Sequence, residues 1–340
     1  MRTFTARVLT AVTAAVCASA LFAPAAVADP PVMPAAFDLV GVGTDTTEDF
    51  MNQTSAAYDA AVSTGLPRLY SWDAYASPPV ITPKTGATSI LRPTSGGAGL
   101  NALNGNTTAT VDYVRTARPP VPTDPTGLSF IPFARDAVTW AAPLGGHAPN
   151  NLTTTDLRAI YNCSVTNWNQ ITDVPGYFGP NAVIRPYLPP AGSDTRYSFL
   201  KAIGVTVVGT CVVSGPQADR GTDPALNNAD SVFPYSVGTY IAQVYRGHGT
   251  ATETPGPLTV RKVNDIAPIT TGQDITPTFA TGLYGRLLYH VVRTSEYVVT
   301  DAHATALKSV FGPQGWICAH PLVIDDYGFI PGCPGPVVTT

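Results

Sequence analysis

The sequence predicts an α/β protein, because short apolar strands alternate with capped helices along most of the chain. Residues 38–43 form an apolar run that ends in glycine, and an amphipathic helical pattern follows from about 48 to 62. The same order recurs where residues 182–187 lead into a helix that begins near Ser193. This alternation without internal repeats is typical of an α/β architecture.

The helix that begins at Ser193 is the first candidate for a ligand site. Gly192 permits a tight turn, Ser193 is a good N-cap, and Gly204 can end the helix. A hydroxyl-capped helix start directs N–H groups and the positive end of the helix dipole at one point, which suits an anion. An ordinary capped helix without a ligand is the more common case. The β-like run over residues 205–213, which follows this helix, predicts a further strand.

Two similar turns precede the Ser193 helix start in the chain. Residues 44–46 follow the first strand, where Thr46 and Asp49 resemble a capping box, and residues 94–99 form a run rich in glycine and hydroxyl groups. An ordinary capped helix and a flexible loop are the alternatives for these two turns. Arg118, after a strand at 110–114, is a candidate clamp for an oxyanion, although most arginines are simply solvated. The carboxyl ends of strands collect ligands in open α/β sheets, so we expect these turns to converge.

The first residues have the pattern of a secretory leader. Arg2 and Arg7 precede an apolar run from 8 to 26, and Ala26-Val27-Ala28 predicts cleavage after Ala28. A lipoprotein anchor at Cys17 is the alternative, which Val16 disfavours because that position needs a small residue. We therefore expect a secreted, extracellular protein, and no later apolar run is long enough to span a bilayer.

Four cysteines remain after such cleavage. In an exported chain an even number predicts disulfides, and three pairings are possible. We favour Cys163–Cys211 and Cys318–Cys333, because each closes a loop within one part of the chain. Metal ligation is the alternative, but no cysteine pair is tightly spaced and the five histidines are scattered.

The composition limits the classes of function. Only 12% of the 340 residues are charged and the formal net charge is −4, so no basic surface indicates nucleic-acid binding. The 33 prolines and 30 glycines are dispersed among apolar runs, which predicts many turns in a globular fold. The length suffices for two domains.

Short motifs in a fixed order make the chain similar to a known family. Residues 41–46, 94–99 and 192–195 resemble its glycine- and hydroxyl-rich turns. Residues 111–113 resemble its Val-Asp-Phe strand, and 152–168 resemble its Leu-Thr…Leu-x-x-Ile-Tyr…Asn-Trp signature. The chain therefore resembles the phosphate-binding proteins of ABC importers, the PstS-like branch of the type II periplasmic-binding-protein fold.

The resemblance implies two α/β domains with mixed sheets, which are joined by crossover strands and close on a ligand in the cleft between them. Domain I would comprise residues 29–120 and 241–340, and domain II residues 121–240. We expect a monomeric, non-enzymatic protein without a cofactor or metal, which captures inorganic phosphate or a similar oxyanion and is linked to an ABC importer permease. The predicted ligand-binding residues are Thr44, Asp45, Thr46, Ser95, Gly96, Arg118, Ser193, Asp194 and Thr195.

The chain also departs from the family's ligand set. The family pairs an aspartate with an arginine, whereas these positions correspond here to Arg118 and to the vicinity of Pro189. Asp45 and Asp194 stand where the family often has threonine and glycine. A carboxylate accepts a hydrogen bond from a protonated oxyanion and repels a fully ionised one, so Asp45 or Asp194 is a candidate selector of hydrogen phosphate over sulfate, with Arg118 opposite.

Two other classes of function remain as alternatives. A secreted phosphatase-like hydrolase would need a nucleophile with a base, or metals, yet Ser95 and Ser193 have no histidine nearby in sequence. A cell-surface interaction protein would bind no small ligand.

Overall fold

A computed structural model describes residues 29–105, 110–333 and 335–340. The predicted leader, its cleavage after Ala28 and the alternative anchor at Cys17 lie outside the described residues. Within these ranges no helix is both long and apolar enough to cross a membrane.

Strands and helices alternate through the first two thirds of the chain, and short helices follow the last long strand. The strands are β1 (Leu39–Gly43), β2 (Leu69–Ser71), β3 (Val80–Ile81), β4 (Ile90–Leu91), β5 (Tyr113–Thr116), β6 (Leu128–Pro143), β7 (Asn151–Leu152), β8 (Arg185–Leu188), β9 (Val213–Ser214), β10 (Ser231–Ser236), β11 (Leu258–Val260), β12 (Lys262–Val263), β13 (Gly285–Arg293), β14 (Ile330–Pro331) and β15 (Val338–Thr339). The helices are α1 (Glu48–Ala61), α2 (Gly96–Gly105), α3 (Thr154–Tyr161), α4 (Asp194–Ile203), α5 (Val237–Tyr245), α6 (Pro277–Thr281), α7 (Thr294–Tyr297), α8 (Ala302–Phe311), α9 (Trp316–Ala319) and α10 (Pro321–Asp326).

One mixed sheet connects both parts of the molecule, in the order β2-β1-β5-β13-β6-β10-β8-β9. Strand β1 pairs in parallel with β2 and β5, and β10 pairs in parallel with β8. Between these parallel sets, β13 and β6 pair antiparallel. We call the side with β1, β2 and β5 region I, and the side with β8, β9 and β10 region II.

The long strand β6 crosses from region I to region II. Its first part pairs with β13 from Leu128 opposite Arg293 to Ala137 opposite Gly285. Its second part pairs with β10, where Val138 lies opposite Ser236. The two partner strands therefore exchange near Ala137, and the residues around this point lie where regions I and II meet.

Each region has its own apolar core. In region I, Phe50 stacks on Phe133 at 5.2 Å between ring centroids. In region II, Trp140 and Trp168 are fully buried in a cluster that also contains residues from Val263 to Tyr284. Residues 263–284 were predicted in domain I, yet they pack with region II. The predicted boundary places the chain in domain I again from residue 241. In the structure, the chain instead returns to region I along β13.

The helices predicted over about 48–62 and from near Ser193 are present as α1 and α4, whereas other predictions hold only in part. Thr153 and Asp156 form a complete capping box at the start of α3. The predicted strand over 205–213 is wrong except at its end, because only Val213 and Ser214 form β9. Val207 in this segment is 78% exposed whereas Val205 is buried, so the apolar run is not continuously buried as a core strand would be.

Both disulfide pairs that the sequence favoured are present in the structure. Cys163 is bonded to Cys211, which ties the end of α3 to the segment before β9, and Cys318 is bonded to Cys333. Sequence separations of 48 and 15 residues correspond in the chain-entropy model to a contribution of about 3–4 kcal/mol each.

Candidate functional site

The predicted turns meet where region I faces region II. The turn of residues Asp45–Thr47 lies against the start of α4, with 3.3 Å between Thr46 Oγ1 and Thr195 Oγ1. The start of α2 lies beside the same helix, since a Cβ on Gly192 would be 3.3 Å from Ser95 Oγ. The expected convergence is therefore present, and we call this junction the cleft.

The start of α4 supplies the side chains from region II. Ser193 is its N-cap, because Ser193 Oγ accepts a hydrogen bond from Arg196 N at 3.4 Å. Gly204 ends the helix in the left-handed conformation with φ +69°. Asp194 and Thr195 in the first turn are fully buried and extend toward region I.

The carboxylate of Asp194 is held by groups at the end of β5. Its Oδ2 accepts hydrogen bonds from Thr116 Oγ1 at 2.9 Å and from Ala117 N at 2.7 Å. Its Oδ1 lies 3.6 Å from Arg118 Nε. Oδ1 makes no hydrogen bond within the described residues, although it is buried. We call Thr116, Ala117 and Arg118 the β5 cradle.

Gly96 completes the surroundings of this carboxylate. A Cβ at this position would collide with both Asp194 carboxylate oxygens and would lie 2.7 Å from Thr116 Oγ1. Only glycine therefore leaves room for the side chain of Asp194 at the start of α2. Ser95 caps this helix, since Ser95 Oγ accepts a hydrogen bond from Ala98 N at 3.2 Å.

The guanidinium of Arg118 is largely engaged by its own loop. Its Nη1 and Nη2 donate to the two carboxylate oxygens of Asp124 at 2.8 and 2.7 Å. Its Cζ also lies 5.7 Å from the centre of the Tyr197 ring. The planar fork that the sequence suggested for a ligand is thus occupied by Asp124, and Nε is the part that faces Asp194.

A second polar contact joins the two regions on the side of α1, which we call the Asp219 contact. Asp219 Oδ2 accepts from Thr46 Oγ1 at 3.3 Å and from Thr195 Oγ1 at 3.4 Å. Arg286 Nη1 and Nη2 each lie 3.3 Å from Thr195 Oγ1. These distances are longer than those at the β5 cradle and indicate weaker hydrogen bonds.

Arg286 and Asp136 form a buried ion pair below this contact. Arg286 Nε donates to Asp136 Oδ2 at 2.9 Å, and the two residues are register partners on β13 and β6. The Asp136 carboxylate also accepts from Ser236 Oγ at 2.8 Å and from Gly238 N at 2.9 Å. Each oxygen of this buried carboxylate therefore has at least one donor.

Acidic side chains surround Asp45 at the edge of the Asp219 contact. They share a void of about 10 Å³, which is room for about one water molecule. Arg220 forms ion pairs here with Glu48 at 2.8 Å and with Glu253 at 2.6 Å. Asp45 Oδ2 is buried and has no hydrogen-bond partner in the described part of the chain.

Burial governs the protonation of these carboxyl groups. Burial, followed by the charges of Asp219 and Glu48, raises the pKa of Asp45 well above its ordinary value. Burial likewise raises the pKa of Asp219 to about 6, against the opposing effect of Arg286. Burial also raises the pKa of Asp194, while the hydrogen bond from Ala117 and the charge of Arg118 oppose this rise.

The structure places the predicted site residues in three different settings. Thr46, Gly96, Arg118, Asp194 and Thr195 contact groups across the cleft or border such a contact. Ser95 and Ser193 cap their own helices beside it. Thr44 and Asp45 lie at its edge, where Thr44 Oγ1 donates to Asp45 Oδ1 at 3.3 Å.

The predicted capping box between Thr46 and Asp49 is wrong. The N-cap of α1 is Thr47, and it makes no side-chain capping bond. The hydroxyl of Thr46 instead reaches residues more than 140 positions away in the chain. A hydroxyl at a helix start satisfies the same sequence pattern whether it caps the helix or contacts another region.

Sequence reasoning missed Thr116, Asp136, Asp219 and Arg286. A signal existed for Asp136, because a carboxylate within an apolar strand needs a buried partner. Thr116 lies two residues before Arg118, which was predicted as a ligand residue. Asp219 and Arg286 lie in stretches without a recognisable motif.

No group of three or more histidine, cysteine or acidic side chains in the described ranges is arranged to hold a metal ion. The residues of the cleft offer hydrogen-bond donors and charged groups. The β5 cradle offers a hydroxyl, a backbone N–H and a guanidinium to one oxyanion group.

The sequence matches the family model of the PBP superfamily domain over residues 34–308. The chain belongs to the PBP superfamily. This family comprises solute-binding proteins, and the fold of this member is the type II periplasmic-binding-protein fold. No curated protein matches the sequence.

Solved structures resemble this PBP superfamily member along most of its length. An ABC-type phosphate transport receptor from Vibrio cholerae is 16% identical with a TM-score of 0.57, and the match covers 87% of this chain and 100% of that one. A Clostridium perfringens protein described as a phosphate ABC transporter substrate-binding protein, solved with bound phosphate, is 14% identical with a TM-score of 0.59, covering 87% and 99%. At these identities the likeness establishes the fold.

Proposed function

We propose that this protein is an exported solute-binding protein that captures phosphate or a related oxyanion in the cleft. The observation that carries the proposal is the β5 cradle, in which three donors of region I converge within 2.7–3.6 Å on a single carboxylate. Charge-assisted donors in this arrangement suit an oxyanion. The Vibrio and Clostridium relatives, both described as phosphate transport proteins, support the same ligand class.

In this proposal the protein acts outside the cell as a monomer without catalytic activity. It delivers the captured anion to an ABC importer. The relatives' names support the link to import. The predicted leader supports export. The side chains in the cleft act in this proposal as binding groups only.

Asp45 has a different role in this proposal from the one suggested by the sequence alone. Selection of a protonated oxyanion required an ionised carboxylate, whereas burial and neighbouring acids raise the pKa of Asp45 well above its ordinary value. A raised pKa favours the neutral form of a carboxyl group, which repels an anion less than a carboxylate does. We therefore expect Asp45 to contribute little to discrimination between phosphate and sulfate, and a selective role of Asp45 or Asp194 stays a prediction to be tested.

Isothermal titration calorimetry of the mature chain with inorganic phosphate and with sulfate tests the proposal. We expect saturable binding of phosphate in the wild type. Because the carboxylate of Asp194 occupies the same donor, Thr116→Val is compared with Thr116 in the Asp194→Asn background. There we expect Thr116→Val to lower phosphate affinity at least about 10-fold, because a charge-assisted hydrogen bond contributes about 1.5–3 kcal/mol. Asp45→Asn should leave the ratio of the two affinities unchanged, and a preference for phosphate that this variant abolishes would restore the selector hypothesis.

Thr54→Val is the matched control for Thr116→Val. Thr54 is another fully buried threonine, but its hydroxyl makes no hydrogen bond within the described residues. Its replacement should leave phosphate affinity unchanged. Absence of oxyanion binding in the wild type, or an equal loss in both variants, would contradict the proposal. Turnover of a chromogenic phosphate ester that disappears in Ser193→Ala would favour a hydrolase.

A further inference from the structure

The Asp194 carboxylate belongs to region II, whereas all groups that bind it belong to region I or to the loop that follows β5. The bonded partners Thr116 and Ala117 are 78 and 77 residues away in the chain. These bonds can therefore form only when α4 lies against the end of β5. They connect the two regions directly across the cleft.

The β5 cradle does not depend on Asp194 for its own shape. Thr116 belongs to β5, which pairs on its two sides with β1 and β13. Arg118 is held by the carboxylate of Asp124, and this acid also accepts a hydrogen bond from Val121 N at 2.8 Å. The donors would therefore remain in place if α4 moved away, and they would be free to bind another anion.

The contacts of Asp194 resemble those of a bound ligand more than those of a structural aspartate. One oxygen receives two short hydrogen bonds from the β5 cradle, while Oδ1 is buried with no hydrogen bond in the residues described. By contrast, both oxygens of the buried Asp136 carboxylate have donors. A carboxylate and a phosphate each present an edge of two oxygen atoms, so the same donors suit both.

Region I also provides the space for this carboxylate, directly beside the β5 cradle. Gly96 at the start of α2 leaves room that any Cβ would fill, and the collision would be with Asp194 itself. Asp194 is 0% exposed, so no second anion fits beside it on these donors.

We propose that Asp194 is an internal competitor for the oxyanion, whose carboxylate occupies the β5 cradle when the cleft closes without a ligand. This inference rests on the proposed function. A free oxyanion must displace Asp194 from Thr116 and Ala117 before it can bind there. The oxyanion affinity of the wild type is therefore lower than the donors alone would allow. The residue at position 194 determines how much lower this affinity is.

Calorimetric titration of the mature wild type, Asp194→Gly and Asp194→Asn with inorganic phosphate tests the proposal. Removing the carboxylate should raise phosphate affinity at least about 10-fold in Asp194→Gly, because two charge-assisted hydrogen bonds no longer have to be broken. Asp194→Asn keeps the volume of the side chain but not its charge, so its phosphate affinity should lie between those of the wild type and Asp194→Gly. This second variant keeps the test valid if the glycine variant does not fold.

Asp301→Gly is the matched control. Asp301 is also an acid at a helix start, where it accepts a hydrogen bond from Ala304 N at 2.8 Å, but it caps α8, which packs in region I. Its replacement should leave phosphate affinity as in the wild type.

Thermal unfolding with added sodium formate gives a readout that does not depend on phosphate. Formate is a free carboxylate that fits the volume that Asp194→Gly vacates, so formate should raise the melting temperature of this variant and not of the wild type. The same concentration of sodium chloride controls for ionic strength. Stabilisation by formate without phosphate binding in any variant would support the internal carboxylate and contradict phosphate capture.

Equal phosphate affinity in wild type, Asp194→Gly and Asp194→Asn, with no stabilisation by formate, would overturn the competitor proposal while leaving oxyanion capture in place. Weaker phosphate binding in both Asp194 variants would also overturn it, because Asp194 would then assist the ligand.

Discussion

The β5 cradle and the Asp219 contact both join region I to region II, but they do so with different chemistry. At the β5 cradle, a backbone N–H and a hydroxyl hold one carboxylate oxygen with hydrogen bonds of 2.7 and 2.9 Å, and Arg118 Nε lies 3.6 Å from the other oxygen. At the Asp219 contact, two hydroxyl groups reach one carboxylate oxygen at 3.3 and 3.4 Å. Further acids surround this second contact, among them Asp45 and Glu48.

The difference shows which side of the cleft suits an anion. At the β5 cradle the donors outnumber the acceptors once Asp194 is removed. At the Asp219 contact the carboxylates are in excess, and burial raises the pKa of Asp219 to about 6. An anion that approaches this side meets groups that must be protonated or paired with an arginine before it can bind.

Arg286→Met should have the largest effect, because it removes the cation that compensates Asp136. Both side chains of the pair are almost fully buried. Loss of one partner of a buried pair typically costs about 3–5 kcal/mol of the free energy of unfolding. Urea unfolding measures this loss. Arg246→Met, which breaks an exposed pair with Asp274, should cost less than about 1 kcal/mol. Equal effects in both variants would contradict the assignment.

Asp219→Asn should change the pH dependence of stability. The pKa of Asp219 is raised from 3.8 to about 6 in the folded protein, so the folded state binds this proton more tightly than the unfolded state. Stability therefore falls as pH rises from 3.8 to about 6, by about 3 kcal/mol in total for this group. Urea unfolding between pH 4 and pH 7 should show a smaller fall in Asp219→Asn. An unchanged slope would disprove the assignment.

Thr116→Val should destabilise the protein by about 2 kcal/mol, because it removes a hydrogen bond to a buried carboxylate. The bond from Ala117 N to Asp194 remains, which limits the loss. Chemical unfolding without added anion measures the difference from Thr54→Val, where no hydrogen bond is lost. A loss no greater than that of Thr54→Val would mean that the β5 cradle holds Asp194 only weakly.

Thr46→Val should have the smallest effect of the four, about 0.5–1 kcal/mol in the same unfolding experiment. Its hydrogen bond to Asp219 is 3.3 Å long, and Thr195 supplies a second donor to the same oxygen. A loss larger than that of Thr116→Val would reverse the comparison between the two contacts.

Local features of the site were predictable because their causes lie within a few residues. Ser193 caps α4 and Gly204 ends it in the left-handed conformation, as their positions in sequence indicated. The failure at Thr46 and Asp49 has the opposite cause. The hydroxyl of Thr46 contacts Thr195, and nothing close to Thr46 in the chain specifies that partner.

The sequence by itself determined the α/β class, the helix starts, and the presence of hydroxyl- and glycine-rich turns, since propensity and capping act over short distances. Tertiary structure alone decided which groups face one another, because β6 and β13 bring Asp136 to Arg286 across 150 residues. It also decided the position of Asp194. The sequence shows an acid in the first turn of a helix, and the fold places that carboxylate on the donors of the β5 cradle.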